Sequence, residues 1–131
     1  MEALDTNYFL RYFIGNSSQQ NTVRNLFIET AQKKQLLYTE TIVLFELEWV
    51  LSSFYKKKKQ DCLFILHAIM EMRFLFIPQK RIFQEALTLF NDYSISLEDA
   101  YIATSCKENN ITNLYTFDKK LNKIFRKISI N

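Results

Sequence analysis

The chain has 131 residues, with 48% hydrophobic, 15% aromatic and 24% charged side chains and a formal net charge of +3. That length suits one domain with an ordinary core, and so mild a charge permits a polyanion partner without demanding one. A single Gly and a single Pro argue against a small turn-rich all-β fold, and two Cys are too few for a disulfide framework or a structural zinc site.

In chain order, Met1 to Leu4 reads as a short strand and Thr6 to Phe13 as a first helix, broken at Gly15-Asn16-Ser17-Ser18. Gln20 to Lys33 has helical spacing, and Leu36-Leu37-Tyr38 forms a second short strand. Ile42 to Tyr55 is the most apolar helix and is expected to be largely buried. A basic turn at Lys56 to Lys59 precedes a helix from Gln60 to Glu71 and a strand at Phe74-Leu75-Phe76-Ile77, closed by Pro78. Arg81 to Asn91 and Leu97 to Glu108 are helical, and Asn109-Asn110 ends the second of them because Asn tolerates the left-handed conformation. Asn113 to Phe117 reads as a strand ending in Asp118, followed by a helical turn at Lys119 to Asn122 and a last strand at Lys127 to Ile130. Short strands alternating with helices give an α/β sandwich with a short, mainly parallel central sheet flanked by helices, as a single domain over 1–131. No secretory signal is visible, and no apolar run approaches the ~20 residues of a membrane span. The expected location is the cytoplasm, with no membrane association.

Four carboxylates stand where apolar residues would be usual. Asp5 and Asp118 each end an expected strand, and ligands sit beyond the carboxyl ends of parallel strands. Each also reads as a simple helix cap. Glu46 shares a helix face with Ile42 and Trp49, expected to point inward, with Glu48 the solvated acid. A buried Glu46 is either half of an ion pair or a ligand. Asp99 lies on the stripe of Ile102, Ala103 and Cys106, but it also has capping-box spacing from Ser96. Gathered in one place, such acids repel one another unless a cation is present. An all-oxygen site suits Mg²⁺ or Mn²⁺. His67 reads as a core or helix-face residue, and Cys106 as packing.

The order Leu4-Asp5-Thr6-Asn7, Glu46-Leu47-Glu48-Trp49-Val50-Leu51, Asp99-Ala100-Tyr101-Ile102-Ala103 and Thr116-Phe117-Asp118 resembles the PIN-domain ribonucleases, and most of all the VapC-type toxins of type II toxin–antitoxin pairs. The resemblance spans nearly the whole chain. It implies a PIN-like fold, and it implies that Asp5, Glu46, Asp99 and Asp118 form a catalytic, Mg²⁺- or Mn²⁺-binding site supported by Asn7 and Thr116. It implies Mg²⁺-dependent endonucleolytic cleavage of RNA (tRNA, rRNA or mRNA), a VapB-like antitoxin whose tail covers the site, and a homodimer. Ser96 stands where many relatives carry a further acid, and Asn109-Asn110 where they carry Gly.

Cations near these acids are candidates for substrate contact. Lys119, Lys120 and Lys123, with Arg126 and Lys127, directly follow Asp118 and read either as a phosphate-tracking face or as a solvated one. A phosphoacceptor receiver domain also gathers acids at strand ends, but the strand at Phe74 ends in Ile77-Pro78 rather than an acceptor Asp. Other readings are a non-catalytic PIN-like protein- or RNA-binding module and an RNA-processing PIN nuclease without an antitoxin.

Overall fold

The computed structural model of the chain describes residues 1–129. These fall into two compact units, one spanning Met1–Pro78 and the other starting at Gln79.

The first unit holds β1 (Glu2–Leu4), α1 (Thr6–Ile14), α2 (Ser17–Gln32), β2 (Leu37–Thr39), α3 (Thr41–Ser53), α4 (Lys59–Met70) and β3 (Leu75–Phe76). The strands pair in parallel in the order β1-β2-β3, with Leu4 opposite Thr39 and Leu37 opposite Leu75. A parallel pair needs a long crossover, and each crossover here is a pair of helices. Local chemistry sets their ends. The Asn16 side chain accepts from the Gln19 N–H at 3.3 Å and starts α2. Lys34, with φ of 53°, closes α2 as the Gln35 N–H reaches back to the Thr30 carbonyl at 3.1 Å. Gly15 lets the chain turn against α1: its N–H donates to the Arg11 carbonyl, and a Cβ there would meet that oxygen at 2.3 Å. Phe9, Leu44, Leu47, Leu51, Leu66 and Ile69 are fully buried in the core.

The second unit is helical: α5 (Lys80–Asp92), α6 (Leu97–Glu108) and α7 (Lys119–Ser129). Helix α6 packs on both α5 and α7. Ser96 caps α6 by accepting the Asp99 N–H at 3.1 Å. Asn110, with φ of 56°, ends it, while the Ile111 N–H bonds the Cys106 carbonyl at 2.9 Å. The expected Asn stop is therefore found.

The α/β class with a short parallel sheet flanked by helices is the one expected, but three local expectations fail. Residues 111–118 form no strand. Their apolar alternation meets no pairing partner, and Tyr115 and Phe117 stand in solvent. Lys119 to Ser129 is one helix rather than a turn and a strand, and Ile130 lies outside the described residues. Leu121, Ile124 and Phe125 have helical spacing and are buried, worth roughly 1.5–3 kcal/mol each. That burial stabilises a helix whose other faces are basic. Thirdly, α3 is buried only along Thr41, Leu44, Leu47 and Leu51. Ile42 and Trp49 remain 68% and 62% exposed. Among the described residues, no helix is long and apolar enough to cross a membrane.

Candidate metal-binding carboxylates

Asp5 follows β1 directly and caps α1, its Oδ1 accepting the Asn7 N–H at 3.1 Å. The side chain is exposed, as is that of Asn7. The bond fixes the carboxylate at the carboxyl end of a parallel strand and leaves Oδ2 for another partner. Asn7 also lines a cleft of about 330 Å³ with Tyr8, Arg11, Gln19, Thr22 and Val23.

Glu46 is exposed, contrary to the inward placement expected from its apolar neighbours. It does share a face with Ile42 and Trp49, but that face looks outward. The half-buried acid is Glu48, and its charge, after burial itself, pushes the Cys62 thiol up to about 11. Helix α3 is apolar on nearly every side, so sequence periodicity could not tell which stripe would pack.

Asp118 lies at the end of an irregular segment, not of a strand. Its Oδ1 accepts the Leu121 N–H at 3.0 Å, so it caps α7, and its own N–H donates to Thr116 Oγ1 at 3.0 Å. Thr116 therefore braces the backbone that carries the acid. Asp99 is half-buried in the first turn of α6, where its N–H serves the Ser96 cap. Among the described residues none of the four acids is in an ion pair, unlike Glu29 with Lys33 and Glu85 and Glu108 with Arg81. The buried ion pair open to Glu46 is thus not formed.

Asp5 and Glu46 belong to the first unit, and Asp99 and Asp118 to the second. Within neither unit do three His, Cys, Asp or Glu side chains gather into a metal-holding group among the described residues. Lys119, Lys120 and Lys123 are exposed on α7. His67 is exposed on α4, on a helix face and not in the core.

A family model described as PIN domain matches residues 3–127. The chain belongs to the PIN domain family. It is 23% identical over 124 residues to the VapC ribonuclease of Aquifex aeolicus (strain VF5), an alignment covering 95% of this chain and 92% of that one. Three of the four carboxylates that carry the family resemblance are thus held by helix starts in this PIN chain: Asp5 and Asp118 are caps, and Asp99 sits three residues after one, whereas Glu46 lies within α3.

Two residues at the same sheet edge escaped sequence reasoning. Glu40 directly follows β2, one step beyond the Leu4–Thr39 pair, so it corresponds in register to Asp5. Both of its oxygens are taken: Oε2 accepts the Tyr38 hydroxyl, and Oε1 accepts the Thr41 N–H at 3.3 Å. The Tyr38 bond raises that phenol's pKa. Glu40 is a cap rather than an open ligand. Thr39 is completely buried, and its Oγ1 has no hydrogen-bond partner among the described residues. Only the strand register could reveal either feature.

Proposed function

We propose that this PIN domain is a metal-dependent endoribonuclease of the VapC type, acting as the toxin of a type II toxin–antitoxin pair. The observation that carries the reading is the match to the PIN domain over residues 3–127; the order of Asp5, Glu46, Asp99 and Asp118 along the chain, which resembles that of the family, supports it. The relative named VapC ribonuclease, aligned along nearly the whole chain, supports the same activity.

Asp5, Asp99, Asp118 and Glu46 would hold Mg²⁺ or Mn²⁺. The donor set fits such an ion: all four are carboxylates, and none is neutralised by an ion pair among the described residues. A divalent cation so bound supplies an activated water and offsets the charge that builds on the phosphoryl oxygens. The chain's own part is positioning. Each capping bond, to the Asn7 or Leu121 N–H, holds one carboxylate oxygen and leaves the other for the ion. The Thr116 hydroxyl steadies Asp118 by accepting its backbone N–H, and the Asn7 backbone N–H steadies the Asp5 carboxylate directly. Lys119, Lys120 and Lys123 attract the phosphate backbone.

The chain works as one PIN domain in the cytoplasm and pairs with a second copy of itself. A VapB-like antitoxin lays its tail over the site, and the exposed Ile42 and Trp49 flanking Glu46 offer that tail an apolar footing.

The test is to incubate the purified chain with total tRNA and rRNA, with Mg²⁺ or with EDTA, and to map the fragment ends. Discrete cuts that need the metal are expected. Uncut RNA at every Mg²⁺ and Mn²⁺ concentration would instead favour a non-catalytic RNA- or protein-binding module.

A further inference from the structure

The second unit carries a pairing of features that its carboxylates do not use. Tyr115 is 91% exposed, and Phe117 is completely exposed. Both lie in the irregular segment before Asp118, where no strand pairing covers them. Leaving two large rings in water forgoes their burial energy, so they contribute little to the fold itself. The helix that follows, α7, is basic outside and apolar inside, with Lys119, Lys120, Lys123, Arg126 and Lys127 and no acid in its length.

A cleft of about 270 Å³ opens along this helix, lined by Lys120, Lys123, Lys127, Ile124, Tyr93 and Ser94. The three lysines sit on one helix face, at spacings of three and four. The Lys127 ammonium lies 5.3 Å from the centroid of the Tyr93 ring, so the ring holds one cation over the cleft. A row of cations that starts within three residues of a bare aromatic ring in the chain matches one polymer chemically: an unpaired nucleic acid strand. Its phosphates pair with the lysines, and its bases stack on the rings. A duplex offers the phosphates but hides the faces of its bases.

We propose that Tyr115 and Phe117 are a stacking platform for unpaired RNA bases, and that the Lys120–Lys123–Lys127 cleft anchors the phosphates of the same strand. The choice of RNA rests on the ribonuclease reading above; the preference for a single strand rests on the rings. Because Asp118 lies between platform and cleft in the chain, the strand is held on both sides of that acid in sequence.

The experiment measures binding without cleavage. A fluorescent, uncleavable 2′-O-methyl oligoribonucleotide is titrated with the full chain in EDTA, as a single strand and as a duplex, at several salt concentrations. The wild-type chain is expected to bind the single strand more tightly than the duplex. Y115A/F117A is expected to lose about tenfold or more in single-strand affinity, with its salt slope unchanged. Y115L/F117L keeps apolar bulk without a flat ring and should lose as much. K120A/K123A/K127A should weaken both ligands and flatten the log–log salt slope for the single strand by about two. Both rings are exposed, so unaltered thermal melting is the expected control for the ring variants.

Equal wild-type affinity for single strand and duplex overturns the proposal. So does wild-type affinity for the single strand in Y115A/F117A, including the case where that variant alters only the oligomeric state. The outcome is separable from that of the nuclease reading. Tight single-strand binding without Mg²⁺-dependent cutting sinks only the latter, and cutting with no ring dependence of binding sinks only the platform.

Discussion

Asp5 and Asp118 do the same local job in different settings. Each carboxylate caps a helix through one oxygen, Asp5 on α1 and Asp118 on α7. Asp5 follows a strand paired in register with β2, so hydrogen bonds of the sheet hold the backbone that precedes it. Asp118 follows an unpaired segment, and its backbone is braced by the hydroxyl of Thr116 two residues earlier. A side chain thus does for one acid what a strand does for the other. The lesson is that a cap is no argument against chemistry: it orients an acid while occupying half of it.

The sharpest way to break this equivalence is to keep the caps and remove the charge. Asn caps as well as Asp, so Asp5→Asn and Asp118→Asn should each leave the melting temperature within a degree or two, roughly, of wild type. Each should lower Mg²⁺-dependent RNA cleavage on the order of 10³-fold, as loss of a key electrostatic group does. Cleavage of wild-type strength by either purified variant would remove that acid from the site.

The next effect separates the two stripes of α3. Leu47→Ala empties a fully buried position and should cost about 2–5 kcal/mol in denaturant titration. Glu46→Gln, on the exposed stripe, should stay within about 0.5 kcal/mol of wild type in stability. It should nevertheless impair cleavage. A stability loss for Glu46→Gln comparable to that of Leu47→Ala would return Glu46 to the core.

Removing the caps themselves comes third. Asp5→Ala and Asp118→Ala should each destabilise by about 1 kcal/mol. The larger loss is expected at Asp118, whose helix follows an unpaired segment. Equal costs would show that the strand and the hydroxyl brace are interchangeable.

Thr39 offers a smaller change of opposite sign. Its buried hydroxyl, unpartnered among the described residues, when replaced by a methyl in Thr39→Val should raise stability by up to about 1 kcal/mol. A drop in melting temperature would reveal a partner for that hydroxyl.

The least effect concerns pH. The Cys62 thiol is raised from 9.0 to about 11, first by burial and then by the nearby charges of Glu48 and Asp61. A raised pKa of this kind leaves stability intact below the unfolded value. Above pH 9 the unfolded chain ionises its thiol more readily than the folded one, so stability falls as pH rises towards about 11. Melting curves across that window should show the decline in wild type and a shallower one in Cys62→Ala.

Features written in neighbouring residues were legible in the chain. Ser96 and Asn110 bracket α6, and the helix runs Leu97–Glu108 as read, because caps and left-handed stops are local hydrogen-bond chemistry. The α7 stripe of Leu121, Ile124 and Phe125 was present too, but the alternation around Ile128 imitated a strand. Residues 113–117 mislead in the same direction: their pattern suits a strand, yet a strand exists only where a second backbone pairs with it.

Sequence alone therefore determined the α/β class and the bounds of α6, since each depends on residues close together or on the succession of elements. Tertiary structure alone decided that the Ile42–Glu46–Trp49 face of α3 looks outward, that Glu40 comes into register with Asp5, and that the Thr39 hydroxyl is buried without a partner among the described residues. Those outcomes depend on which surfaces meet, and an almost uniformly apolar helix or a three-residue strand carries too little pattern to specify that by itself.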